Sequence, residues 1–344
     1  MENQQTNYAK RVNARRLILG PRDDLMAISP MKHAWARDVW KMMLANTWVP
    51  GEVSLSDDII CYRERLTESE RFAYDKALAF LSNLDGIQFH NINMNISTYV
   101  TSPEVEMCLS RQAFEEALHV DSYSQMIEAI SLDPMSIYMT FERDGILAKK
   151  NEFILKQSQV LGLGEFTARS FALALVSNIL LEGVYFFSGF LVFYLLAKQG
   201  KMLGSADMIR FIQRDEEQNH LTLFKRMLET MQIENPEVFD DQFWRDALAI
   251  YHESAQLEIT WAKYIFSGGV FGATDAMLES YIKSLCNKRA EDINAPFIPY
   301  PGAKNPFEWV ERFSSPNGVE KNFFETKVDA YQIGTLDWEG DDDL

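Results

Sequence analysis

Acids set inside apolar helix constrain this chain more than any other feature of it. Asp85 closes the run Ala-Phe-Leu-Ser-Asn-Leu-Asp, and Glu182 interrupts Ile-Leu-Leu-Glu-Gly-Val-Tyr-Phe-Phe. A carboxylate among such neighbours is almost never buried without a partner, because losing water costs the charged form several kcal/mol or more. Each acid is followed by a Glu-x-x-His step. Glu116 and His119 lie in Arg-Gln-Ala-Phe-Glu-Glu-Ala-Leu-His, and Glu217 and His220 lie in Arg-Asp-Glu-Glu-Gln-Asn-His. Residues three apart project from one helix face and can grip one ion.

One Glu-x-x-His step is weak evidence, since solvated helix faces produce it by chance. Here the order is repeated: Asp85 lies 31 residues before Glu116, and Glu182 lies 35 before Glu217. Antiparallel helices of those lengths bring each set of three groups to a similar depth. Four carboxylates and two imidazoles form the ligand set of di-iron and di-manganese helical bundles. A metal would supply the positive charge that Glu182 otherwise lacks. His119 and His220 taken singly would read as satisfied core histidines; the repeat argues otherwise.

The rest of the chain is consistent with a bundle. Thr67-Glu68-Ser69-Glu70 predicts a capping box opening a helix to about 100, and Ser102-Pro103-Glu104 predicts another to about 130. Further helices are expected near 134–158, 166–199, 205–232, 236–267 and 273–292. No alternating strand pattern or Gly-rich phosphate loop is seen, so the expected class is all-α, a ferritin-like di-metal bundle with additional helices. The expected organisation is an N-terminal arm over 1–30, a helical domain over 31–310 and a flexible tail over 311–344.

Hydrophobic residues make up 47% of the chain, enough for a large core, and the net charge of −17 disfavours nucleic acid as a partner. Phe171 to Ala197 is long enough to cross a bilayer. However, Asn178, Glu182 and Ser188 within it favour a buried bundle helix over a membrane span. Cys61, Cys108 and Cys286 are far apart and odd in number, as expected of reduced thiols in a cytoplasmic protein. The N-terminus has no apolar stretch of the kind a signal peptide needs.

Over roughly 30–331 the sequence resembles the small subunit of class I ribonucleotide reductase, most specifically in RQAFEEALH, LLEGVYFFSGF, IRFIQRDE, Asp85 and NFFETKVDAYQ. The resemblance implies two iron ions, with Asp85, Glu116 and His119 at one and Glu182, Glu217 and His220 at the other. Manganese, alone or paired with iron, can use the same hard ligands. It also implies that dioxygen oxidises the pair to leave a stable radical on Tyr123, shielded by Phe186 and Phe190. Having Tyr at 123 argues against the branch that stores its oxidising equivalent on a manganese–iron pair. Trp48, Tyr331 and Glu325 would then serve radical transfer to a large subunit that docks on the C-terminal tail. A homodimer is implied too.

The second motif departs from the family pattern by one extra residue. Counted back from His220, the ligand is Glu217. Counted forward from Arg214, it is Glu216, with Asp215 behind it and a helix bulge before His220. The i, i+3 spacing needs no bulge and favours Glu217. The rival reading is another di-metal bundle oxidase or a fatty-acid desaturase; a ferritin-like iron store would be shorter.

Overall fold

The computed structural model describes residues 2–22, 26–162, 165–267 and 270–313. In order, the helices are α1 (Glu2–Asn13), α2 (Trp35–Ala45), α3 (Ser56–Glu64), α4 (residues 68–99) and α5 (Pro103–Ile130). Next come α6 (Pro134–Tyr138), α7 (Thr140–Arg143), α8 (Gly145–Ser158) and α9 (Ala168–Lys198). Last are α10 (residues 203–234), α11 (Asp241–Ile265) and α12 (Asp275–Asp292). The only β pairing among the described residues is an isolated bridge from Ile18 to Val100.

Helix starts follow local chemistry. Glu70 N–H donates to Thr67 Oγ1 at 3.3 Å while Glu70 Oε2 accepts from Thr67 N–H at 2.8 Å, the reciprocal cap expected for α4. Ser102 precedes α5 as expected but does not cap it with its side chain. Its hydroxyl donates to Glu104 Oε2 at 2.8 Å and also meets His33 Nδ1 at 2.8 Å. The single helix expected over 134–158 is broken into three. Asp144 adopts an extended backbone and accepts from the N–H groups of Ile146 and Leu147, which starts α8 afresh.

α9 is long and apolar enough to cross a membrane, and all of its most apolar stretch is buried inside the bundle. Its buried polar side chains Asn178 and Ser188 are met from neighbouring helices. Asn178 Oδ1 accepts from Gln88 and Asn91 of α4, at 3.0 and 2.9 Å. Ser188 donates to Glu258 of α11, whose other oxygen lies 2.5 Å from the buried Lys150 ammonium of α8. A helix apolar on every side is thereby anchored in one rotational setting, with Glu182 directed towards α4, α5 and α10.

Three helices carry a wider, π-helical turn: Ile92–Ile96 in α4, Leu181–Tyr185 in α9 and Asp215–His220 in α10. In α9 this turn brings Gly183 against the buried stem of Arg289 from α12. A Cβ built on Gly183 would lie 2.3 Å from Arg289 Cδ. Gly183→Ala should therefore destabilise the protein by about 1–3 kcal/mol despite alanine's better helix propensity, because the added methyl overpacks a close helix contact. Denaturant unfolding of the purified chain measures this; a gain in stability would mean that Arg289 moves aside freely.

Candidate metal centre

α4 supplies Asp85, α5 supplies Glu116 and His119, α9 supplies Glu182, and α10 supplies Glu216 and His220; all six are fully buried. The ligand atoms of Asp85, Glu116, His119 and Glu216 lie within 4.8 Å of one another, and so do those of Glu116, Glu182, Glu216 and His220. Glu116 and Glu216 belong to both groups. The arrangement is that of two adjacent cation sites with two shared acids.

Both imidazoles present Nδ1 to the cluster. His119 Nδ1 is 3.6 Å from Asp85 Oδ2 and 3.0 Å from Glu216 Oε1, without aiming a hydrogen bond at either. His220 Nδ1 is 2.7 Å from Glu216 Oε2 and 3.3 Å from Glu116 Oε1. Both oxygens of Asp85 and Glu116, together with Glu182 Oε2, Glu216 Oε1 and His119 Nδ1, have no hydrogen-bond partner among the described residues. Buried lone pairs left unpartnered in one place are costly unless something positive lies between them. Oxygen and imidazole donors suit iron or manganese, so the residues fit a di-metal pair.

Glu217, the acid favoured on spacing, does not join this cluster. Its Oε1 accepts from Lys288 Nζ at 2.8 Å and lies 3.9 Å from the Arg289 guanidinium. The physical reason is the π-helical turn at Asp215–His220. The extra residue is absorbed as a wider turn, so Glu216 and His220, four apart, point inward together and Glu217 is rotated outward. Expecting an unbroken α-helix placed Glu217 inward, where the structure has Glu216.

A ring of further polar groups holds the cluster in place. His119 Nε2 bonds Asp215 Oδ2 at 3.3 Å, and the same oxygen accepts from Trp48 Nε1–H at 2.6 Å. The Trp48 ring stacks on Phe211 with centroids 5.1 Å apart and lies 6.4 Å from the His119 ring. Asp215 thus occupies the second-layer position that the forward count assigned to it. His220 Nε2 bonds Glu115 Oε2 at 3.0 Å, while Glu115 Oε1 accepts from Arg111 and Asn219. Each half of the repeat orients the histidine of the other. Such outer hydrogen bonds fix the tautomer, leaving Nδ1 free for an ion.

Glu115, Gln88 and Gln112 escaped the sequence reading. Glu182 Oε1 accepts from Gln88 at 2.5 Å and from Gln112 at 3.0 Å, while its Oε2 is buried with no hydrogen-bond partner among the described residues. Signals for them existed. Glu115 precedes Glu116 as Asp215 precedes Glu216, and Gln88 and Gln112 share helix stripes with Asp85 and Glu116.

Tyr123 lies one turn beyond His119, fully buried, with no hydrogen-bond partner for its hydroxyl among the described residues. Burial, then the charges of Asp85, Glu216 and Glu116, hold its proton on well above the usual phenol range. Phe186 and Phe190 are fully buried and stack with centroids 5.8 Å apart. Tyr331, Glu325 and the rest of the tail beyond 313 lie outside the described residues.

The electrostatics run in one direction. Burial, reinforced by neighbouring carboxylates and only partly offset by the imidazoles, pushes Asp85, Glu116 and Glu216 well above the carboxylate range. Burial acts on Glu182 too, but His220, with Glu216 and Gln88, outweighs it and draws Glu182 below that range. Burial opposes charge on the histidines, yet the acids around them raise both.

A family model describing the ribonucleotide reductase small chain matches residues 25–306. The chain is 36% identical over 332 residues to the ribonucleoside-diphosphate reductase subunit beta of Treponema pallidum, covering 93% of this chain and 91% of that one. It is 32% identical over 331 residues to the corresponding subunit of Chlamydia pneumoniae, covering 92% of each. The solved ribonucleotide reductase R2 subunit from Clostridium botulinum superposes with a TM-score of 0.83 at 34% identity, covering 87% of this chain and 94% of that one.

The raised groups yield a pH prediction. Asp85, Glu116, Glu216 and both histidines bind protons more tightly folded than unfolded. Their stabilisation is therefore fully present below the unfolded values and is lost as pH rises through the folded ones. Glu182 has the opposite sign, but its contribution is already complete above its ordinary value of 4.5. Metal-free protein should thus lose more than about 1 kcal/mol of unfolding free energy between about pH 5.5 and pH 8. Protein loaded with Mn(II) should not, because the ions take the place of those protons. Denaturation at the two pH values with and without metal checks this; equal slopes would contradict it.

Proposed function

This chain belongs to the family of ribonucleotide reductase small subunits, and on that premise we propose that its buried cluster generates and stores a tyrosyl radical. Two iron ions held by Asp85, Glu116, His119, Glu182, Glu216 and His220 would supply the oxidising power, drawn from dioxygen, that takes one electron and one proton from Tyr123. The supporting observation is the coincidence of unpartnered acid oxygens with an unpartnered phenol one helical turn beyond His119.

The protein's own contribution is positional. Asp215 and Glu115 hold the two imidazoles with Nδ1 inward, and Gln88 with Gln112 holds Oε1 of Glu182 and so fixes that carboxylate beside the cluster. Full burial keeps water and reductants from the Tyr123 phenol. Oxidation there requires loss of the hydroxyl proton, which burial otherwise holds tightly; Asp85, Glu216 and Glu116 are the acids whose charge bears on it.

Small subunits of this family work with a large subunit, and the path outward is proposed to begin at Trp48. Its indole proton is already directed at Asp215, whose same oxygen meets His119, so an electron leaving the ring would have a proton acceptor in place. From there Glu325 and Tyr331, on a C-terminal tail docked to the large subunit, would relay the oxidising equivalent to start reduction of a ribonucleotide. A symmetric homodimer is part of the same proposal.

Two variants test the assignment. Tyr123→Phe should bind two metals as tightly as the unsubstituted chain, yet show no tyrosyl electron paramagnetic resonance signal after ferrous iron and air. Trp48→Phe should form the Tyr123 signal normally while ribonucleotide reduction with the large subunit falls to background. A full radical signal in Tyr123→Phe, or oxidation of an organic substrate by this chain alone, would favour the di-metal oxidase instead.

A further inference from the structure

α12 carries no member of the metal cluster, yet it touches both π-helical turns that do. Arg289 is 2% exposed. Its stem lies against the bare backbone of Gly183, next to Glu182 in the α9 turn, and its guanidinium lies 3.9 Å from Glu217 in the α10 turn. Asp292 meets the guanidinium at 3.2 Å, and the Phe187 ring lies 5.9 Å away. Lys288, one residue earlier, adds the shorter contact to Glu217 at 2.8 Å. A buried guanidinium cannot shed its charge, so an acid withdrawn from it leaves an uncompensated ion.

The α10 motif has two registers open to it. With a π-helical turn, Glu216 and His220 point inward; with an unbroken α-helix, Glu217 and His220 would do so at i, i+3. The second register needs no bulge, so something outside the turn must oppose it. Rotating Glu217 inward would take its carboxylate away from Lys288 and from Arg289, leaving the contact to Asp292 as the remaining ion pair of that buried guanidinium among the described residues. We propose that Lys288 and Arg289 set the register of the Asp215–His220 turn by holding Glu217 outward, so that Glu216 is the acid presented to the metals. Lys288 and Arg289 are positioning residues: they act through Glu217 and touch no ligand. The proposal rests on the reading of the cluster as a metal centre.

The test asks which glutamate binds, using Mn(II) alone as probe, full-length chain without oxygen, and free Mn(II) counted by electron paramagnetic resonance. Glu216→Ala should weaken binding by roughly tenfold or more, as loss of a group at a metal site does, because Glu217 is held away. Adding Lys288→Glu, a partly exposed position whose new charge repels Glu217, should restore roughly threefold of that affinity, the scale of one such ion pair. Adding Glu217→Ala as well should abolish the recovery, which a merely structural role for Lys288 would not predict. Glu216→Ala with Arg289→Met, where it folds, should recover more.

If Lys288→Glu restores nothing, or if the recovery survives Glu217→Ala, the register clamp is wrong while the metal centre stands. If the unsubstituted chain takes up no Mn(II), the metal reading itself falls.

Discussion

The structure is organised around a repulsion. Four carboxylates with no water to solvate them converge from four helices, and most of their inward oxygens have no hydrogen donor. Left to themselves they would separate or hold protons, and the upward-shifted titration of Asp85, Glu116 and Glu216 expresses that conflict. A fold that keeps such groups together must spend stability from its apolar core on them, as functional sites commonly do. Two cations between them would turn that cost into binding energy. The polar interruptions of α9, the crossed support of the two histidines and the amides behind Glu182 all follow from the need to hold acids at fixed positions.

The same need accounts for the π-helical turns. Two of the helices that carry acids, α9 and α10, are bulged at the acid itself, at Glu182 and at Glu216. A regular α-helix offers side chains at steps of three or four along a straight stripe. A wider turn lets one residue break that stripe and its neighbours turn outward, which in α10 gives Glu217 to the basic residues of α12.

Much of this was legible in the sequence, for definite reasons. Acids inside apolar helix are so unfavourable that Asp85 and Glu182 stand out without any structure, and the doubled Glu-x-x-His order pointed to Glu116, His119 and His220, which the structure brings beside them, and to Glu217, which it does not. The capping signal at Thr67–Glu70 and the Ser102-Pro103-Glu104 start marked where α4 and α5 begin. The choice between Glu216 and Glu217 was not legible, because side-chain spacing records where residues would lie on a regular helix and is silent about a bulge whose outward acid meets Lys288, 71 residues away. Gln88, Gln112 and Glu115 left only a trace, in shared helix stripes and a repeated acid pair, because their roles come from which helices meet. The break at Asp144 was missed because its acid looked like helix interior until Lys76 and Tyr264 were seen converging on it.

The central claim is that these acids stand together because two metal ions belong between them. Anomalous diffraction from crystals of the full chain soaked in Mn(II) tests it most directly. The account predicts two peaks, one bounded by Asp85, Glu116, His119 and Glu216 and the other by Glu116, Glu182, Glu216 and His220. A map with no peak inside that ring of acids, at metal concentrations that saturate other sites, would contradict it.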